Sequence, residues 1–213
     1  VIAQRAAILA WLAWDSAGFF EWLAARPWYT QILIDWVAAI PIEPGEQGLE
    51  VGCGPGLLTG LVAARGVQMS GLDRSPAMVE RARRSIPDCT FIEGDALDLP
   101  LEDHSVDVAF AASVVNLVSD PRTLTTEMAR VVRSGGRVSV LFPTPTLSDD
   151  AARIAQQLGL EGLSAAALQT WASKAPKREP SMISPLFDQA GLLDIRVDRF
   201  FDGTVASVTG TVP

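Results

Sequence analysis

Three glycines at alternate positions dominate the chemistry this sequence can offer. In Leu49-Glu50-Val51-Gly52-Cys53-Gly54-Pro55-Gly56 an apolar run ends in a turn carrying Gly52, Gly54 and Gly56. Glycine has no Cβ, so a strand that ends in such a turn and feeds a helix brings bare backbone close to a ligand. Two further acids punctuate the chain downstream: Asp73 closes Val67–Leu72, and Asp95 follows Thr90–Ile92. Strand, glycine loop and acid also occur in nicotinamide oxidoreductases, but the spacing here argues against one. Counted from Gly52, the third glycine of G-x-G-x-x-G falls on Leu57. The Tyr-x-x-x-Lys pair of the short-chain kind is missing too, because Tyr29 is followed by Leu33. No nucleophile–base pair stands out. Cys53 reads as a small turn residue, and Cys53 and Cys89 lack metal-type spacing. The single histidine, His104, precedes an apolar run, whereas ligands of open α/β sheets sit beyond the strands' carboxyl ends. It reads as a solvated turn residue.

The elements that must position these groups alternate along the chain. Residues 1–40 read as helices, with Trp11, Trp14, Phe19, Trp22 and Trp36 on core-facing sides, an Asp15-Ser16 cap and a break at Pro27. Beyond Pro41, Pro44 and Gly45 come strands at Gln47–Val51, Val67–Leu72, Thr90–Ile92, Val106–Ala112 and Arg137–Phe142. Helices lie between them, near Leu57–Arg65, from Ser75-Pro76 to Ser85, and from Asp120-Pro121 to the Ser134-Gly135-Gly136 turn. Residues 143–185 interrupt the rhythm with prolines and two helical stretches, near 149–158 and 164–173. A helix near Leu186–Ala190 follows, then strands near Ile195–Phe201 and Val205–Thr211 joined by an Asp202-Gly203 turn. This alternation predicts a parallel, doubly wound α/β sheet in a single domain spanning 1–213. Within it, 1–40 forms a helical cap, 41–142 and 186–213 the core, and 143–185 an insertion.

The motifs, taken in order, resemble the class I S-adenosylmethionine-dependent methyltransferases, closest to the small-molecule branch called type 11. The carriers are E-x-G-x-G-x-G at Glu50–Gly56, Gly71-Leu72-Asp73, Glu93-Gly94-Asp95-Ala96, Asp107–Phe110 through Asn116-Leu117-Val118, Arg130–Arg137 and Phe187–Leu192. The resemblance implies a Rossmann-like sheet of seven strands with the last antiparallel. It also implies S-adenosylmethionine as cofactor, with S-adenosylhomocysteine as product. Under it, Gly52, Cys53, Gly54 and Gly56 cradle the cofactor, Asp73 accepts both ribose hydroxyls, and Asp95 with the Ala96 backbone meets the adenine. Ala112 ends the fourth strand facing the methyl group. Glu50 lies near the ammonium end or serves the fold alone. Arg74 stands where the family has an apolar residue over adenine, so its guanidinium either stacks there or is solvated. Met78 reads as helix core or as adenine contact.

Methyl transfer from a sulfonium needs in-line placement in a dry pocket, and a general base only for a protonated acceptor. The family's histidine pair is replaced here by Asn116-Leu117. Asn116 can orient an acceptor but cannot titrate. Tyr29, the only tyrosine, reads as site or core, and Ser113 as a weaker candidate. Residues 143–185 leave the fifth strand on the cofactor side and are expected to form a lid, bringing Phe142, Leu147, Leu168, Trp171 and Met182 toward a small, largely apolar acceptor. Lys174, Lys177 or Arg178 either form a solvated stretch or, where the acceptor carries an acidic group, would hold it. A protein that binds the cofactor without turnover is the alternative reading.

The bulk numbers agree with a globular chain. Of 213 residues, 48% are hydrophobic and 20% charged, and the net charge of -8 with no basic run excludes a nucleic-acid surface. Arg5 and the apolar Ala6–Trp14 resemble a leader only faintly, no run reaches the ~20 residues of a membrane span, and two unpaired cysteines suit a reduced, cytoplasmic setting.

Overall fold

The computed structural model describes residues 2–213. Three helices come first: α1 (Ile2–Trp14), α2 (Ser16–Ala24) and α3 (Pro27–Ala38). The alternating core follows as β1 (Gln47–Val51), α4 (Leu57–Ala63), β2 (Gln68–Asp73), α5 (Pro76–Ser85), β3 (Thr90–Glu93), β4 (Val106–Ala112), α6 (Pro121–Val131) and β5 (Val132–Pro143). The chain closes with α7 (Thr146–Gln157), α8 (Gly162–Lys174), α9 (Pro180–Gln189), β6 (Leu193–Phe200) and β7 (Val205–Thr211).

Local chemistry sets the boundaries. Asp15 caps α2 by accepting from the Gly18 N–H at 2.8 Å, Ser75 caps α5, and Asp120 caps α6 by accepting from the amides of Arg122 and Thr123. Proline occupies the first turn of α3, α5, α6 and α9, where no intrahelical N–H bond is lost.

The seven strands form one sheet in the order β3-β2-β1-β4-β5-β7-β6. All pairs from β3 to β5 are parallel, and β7 runs antiparallel between β5 and β6. This is the Rossmann-like arrangement that the motifs implied. β4 sends Val108 and Phe110 to one core and Ala109 and Ala111 to the other, so both faces of the sheet are covered. Helices α1–α4, α7 and α8 cover the first face, and α6 and α9 cover the second.

Four details depart from the sequence reading. Trp14 is 93% exposed rather than core-facing, whereas Trp36 is fully buried and donates its indole N–H to Ser139 Oγ at 2.9 Å. The Ser134-Gly135-Gly136 turn lies inside β5, where the register with β4 shifts between Val106↔Val132 and Val108↔Arg137. The extra residues are absorbed as a bulge, with Gly135 at φ 77° and its N–H donating to Val212. Helix α9 begins at Pro180 and continues through Pro185, and within it the Ser184 hydroxyl donates to the Pro180 carbonyl. The two helices within residues 143–185 bury apolar residues in the core of the first face. Helix α7 packs on α8 and α8 on α1, in the layer that covers the first face.

Candidate active site

The carboxyl ends of β1, β2 and β4 open into one cavity of about 490 Å³. Its floor is the turn between β1 and α4. Gly52, Gly54 and Gly56 all have positive φ, at 73°, 51° and 89°, a region costly for other residues. At Gly52 space is as strict as angle, since a Cβ would meet Val114 Cγ2 at 2.3 Å. The N–H groups of Gly52 and Cys53 both donate to the Leu72 carbonyl, at 2.7 and 2.9 Å, which ties the turn to the end of β2.

Asp73 extends that tie. One carboxylate oxygen accepts from the Gly54 N–H and the other from the Ser75 N–H, each at 2.9 Å. Each oxygen keeps a lone pair for further donors. Asp73 and Asp95 form no ion pair among the described residues, and both line the cavity.

Glu50 is the third acid. It is 3% exposed, and its Oε2 accepts from both the N–H and the hydroxyl of Thr59. Burial raises its carboxyl to about 8 against the opposing pull of the Thr59 bonds, and the nearby Asp73 charge raises it further. The free protein therefore holds Glu50 protonated at neutral pH. Tyr29 faces the same space, its phenol raised to about 12 by burial and then by Glu50. It meets Trp171 of α8 edge-on, with ring centroids 6.4 Å apart. Burial also raises the Cys53 thiol, which keeps it an inert turn residue.

The cavity brings together Tyr29, Glu50, Gly52, Cys53, Gly54, Asp73, Arg74, Met78, Asp95, Ala96 and Ala112. Met78 is also 8% exposed on α5, so core and lining are one position. Two candidates lie elsewhere. Gly56 is the left-handed N-cap of α4, and a Cβ there would sit 3.1 Å from Phe91. Asn116 is 3% exposed and outside the lining, and its amide donates to the Pro176 carbonyl at 2.9 Å. The loop after β4 faces the cavity through Ser113, Val114, Leu117, Val118 and Ser119 instead. Ser113 has φ 57°, so the chain bends sharply just where the strand ends.

None of the expected lid residues lines the cavity. Phe142, Leu147 and Leu168 are fully buried, Trp171 supports Tyr29 from behind, and Met182 is 55% exposed. The upper wall comes from Phe20, Tyr29 and Leu33 of the N-terminal helices. Phe20 and Leu33 were not singled out in the sequence, where they are ordinary apolar helix positions. Only the meeting of α2 and α3 over the β1 end distinguishes them. His104 lies at the opposite end of the sheet, exposed, with Nδ1 at 3.0 Å from the Val132 carbonyl.

Among the described residues, Asp73 and Asp95 outnumber Arg74, the one cation in the lining, which makes this an acidic cavity. Glu50 can join them as a carboxylate when a positive ligand favours its ionised form. The cavity is poorly suited to a pyrophosphate and well suited to a ligand that carries positive charge. The glycine turn admits close backbone contact, and Asp73 has lone pairs to spare. These residues fit S-adenosylmethionine.

Comparison with known proteins gives the same answer. Residues 49–140 match the family model described as a methyltransferase domain. The trans-aconitate 2-methyltransferase of Enterobacter sp. (strain 638) is 31% identical over 132 residues, which cover 61% of this chain and 51% of that protein. The chain thus spans about half the length of curated relatives of this kind. Among solved structures, the methyltransferase bound to the Trm112 activator of Haloferax volcanii superposes with a TM-score of 0.72 at 23% identity, over 97% of both chains. Phosphoethanolamine N-methyltransferase 2 of Haemonchus contortus, solved with S-adenosylhomocysteine and phosphomonomethylethanolamine, gives 0.65 at 17% identity over 86% of this chain and 52% of that one. At such identities the structures share the fold. Residues 49–140 thus carry a methyltransferase domain, and the chain as a whole takes the fold of the methyltransferases on which it superposes.

Proposed function

We propose that the protein transfers a methyl group from S-adenosylmethionine, bound in the acidic cavity, to a small and largely apolar acceptor molecule. The observation that carries this reading is the convergence of Glu50, Asp73 and Asp95 on one cavity floored by the Gly52–Gly54 turn. Asp73 would accept the ribose hydroxyls, Asp95 the adenine amino group with the Ala96 N–H on the ring, and Glu50 the ammonium end. Met78 would flank the adenine, while Arg74 is exposed enough to lie over the ring or in solvent. The cofactor supplies an electrophilic methyl on a sulfonium; its carbon–sulfur pair stays on sulfur as an acceptor lone pair forms the new bond.

The chain's own residues would do the rest by placement. Phe20, Leu33, Val114 and Leu117 give the methyl side apolar walls, as small-molecule pockets have. Tyr29, with its phenol at about 12, keeps its proton at neutral pH and donates a hydrogen bond rather than acting as base. Asn116, clamped to Pro176, holds the wall loop rather than touching the acceptor. The small-molecule acceptor in the name of the trans-aconitate relative supports an acceptor of that size.

The test is a panel of small acceptors with methyl-labelled cofactor, read by mass spectrometry. Label should appear in an apolar small molecule at stoichiometry with S-adenosylhomocysteine formed. Cofactor binding with no labelled product across metabolite extracts would favour a binding protein instead.

A further inference from the structure

A second concavity, of about 320 Å³, lies away from the cofactor cavity and shares no residue with it. Two helix faces form its walls. Ser148, Ala151 and Ala152 are spaced i, i+3, i+4 on α7, and Gln169, Ala172 and Ser173 are spaced the same way on α8. Because these side chains are mostly small, the two helices leave a groove between them. Arg5 of α1 and Lys177, just beyond α8, complete the lining.

The charge of this groove is opposite to that of the chain. The protein carries a net charge of -8, yet the lining holds two cations and no carboxylate. Several arginines elsewhere, Arg81, Arg130, Arg133, Arg137 and Arg153 among them, each meet an acid. Among the described residues neither Arg5 nor Lys177 forms an ion pair. Burial pulls the Lys177 amine below its ordinary value with no acid to offset it.

Helix capping would be an alternative use for two cations near the last turn of α8. The hydrogen bonds do not support it. Arg5 donates to the Ser173 hydroxyl at 2.8 Å, and among the described residues neither Arg5 nor Lys177 donates to a backbone carbonyl. The helix ends oppose each other as well, since the first turn of α7 is positive and the last turn of α8 negative. Attraction for an anion therefore rests on the two side chains, with the amide of Gln169 as a further donor, since the Ser148 and Ser173 hydroxyls already donate to the Ala172 and Thr170 carbonyls.

We propose that this groove binds a small oxyanion, the carboxylate or phosphate group of a metabolite, between Arg5 and Lys177. The fork of Arg5 keeps donors free for two oxygens, and Lys177 adds a point charge in the same lining.

The test is isothermal titration of the full chain with inorganic phosphate and, separately, succinate, at constant ionic strength set by sodium chloride. The protein is first saturated with S-adenosylhomocysteine, so that the cofactor cavity is closed to the probes. At least one probe should bind saturably, and the preferred one tells phosphate from carboxylate. Binding should weaken at least tenfold in Arg5→Gln/Lys177→Met, with S-adenosylhomocysteine affinity unchanged. If the double variant melts early, the single exchanges decide, each weakening the probe severalfold. Saturable binding by neither probe, or binding that survives both exchanges, would overturn the proposal.

Discussion

Replacing Glu50 by Gln separates its structural duty from its ligand duty. In the free protein the carboxyl is buried and raised from its ordinary 4.5 to about 8. The amide of Gln imitates the protonated acid: its carbonyl can take both Thr59 bonds. The folded wild type binds the Glu50 proton more tightly than the unfolded chain does. That contribution is complete below about pH 4.5 and is lost as pH rises through about 8. A displacement of this size corresponds to on the order of 5 kcal/mol for a fully buried group, and a compact unfolded state reduces it. Gln does not titrate. Urea unfolding at pH 5, 7 and 9, followed by fluorescence of the six tryptophans, reads the difference directly. The wild type should lose at least about 2 kcal/mol relative to Glu50→Gln between pH 5 and pH 9. Binding of S-adenosylmethionine to the wild type should release a proton near neutral pH, seen as buffer-dependent heat, because a positive ligand favours the carboxylate. Parallel stability profiles for the two proteins would refute the assignment of a neutral, buried Glu50.

Other exchanges probe the walls and the periphery. Tyr29→Phe should keep S-adenosylhomocysteine affinity within about twofold while lowering turnover on an identified acceptor by about tenfold, one lost hydrogen bond at about 1.4 kcal/mol; equal turnover in a rate assay would remove the hydroxyl from the chemistry. His104→Ala should cost at most about 1 kcal/mol in thermal unfolding, from the contact with Val132, and leave cofactor affinity unchanged in calorimetry. Excising residues 148–173 should abolish cooperative unfolding, because it strips Ile154 and Leu168 from the core at roughly 1.5–3 kcal/mol each. A shortened protein that melts cooperatively near the wild-type temperature would show that these helices are dispensable to the fold.

The sequence was most legible where backbone demands are strict. Gly52 and Gly54 occupy angles that other residues avoid, and acids at strand ends can be read from a one-dimensional pattern, so most of the floor of the cavity was visible early. Caps at Ser75 and Asp120 placed two helices for the same reason. Packing was harder to read. Nothing local in Leu147 or Leu168 tells whether an apolar helix covers a ligand or the sheet, and the structure shows the sheet. Asn116 sat at the right place in its motif, but its partner Pro176 is 60 residues away. Gly135 carries both a turn signature and a bulge signature, and only pairing with β4 and the C-terminal strand separates them.

The central claim is that the acidic cavity receives S-adenosylmethionine through the Asp73 carboxylate. Calorimetric titration with S-adenosylhomocysteine tests it most directly, on the wild type and on Asp73→Asn, with NAD as the contrasting ligand. The wild type should bind S-adenosylhomocysteine with one site per chain and show no heat of binding with NAD. Asp73→Asn keeps the shape of the side chain but gives up the charge behind two hydroxyl bonds, worth roughly 1.5–3 kcal/mol each. Its affinity should fall at least tenfold with the melting curve still cooperative. Undiminished affinity in that variant, or a wild type that binds NAD and not S-adenosylhomocysteine, would contradict the account.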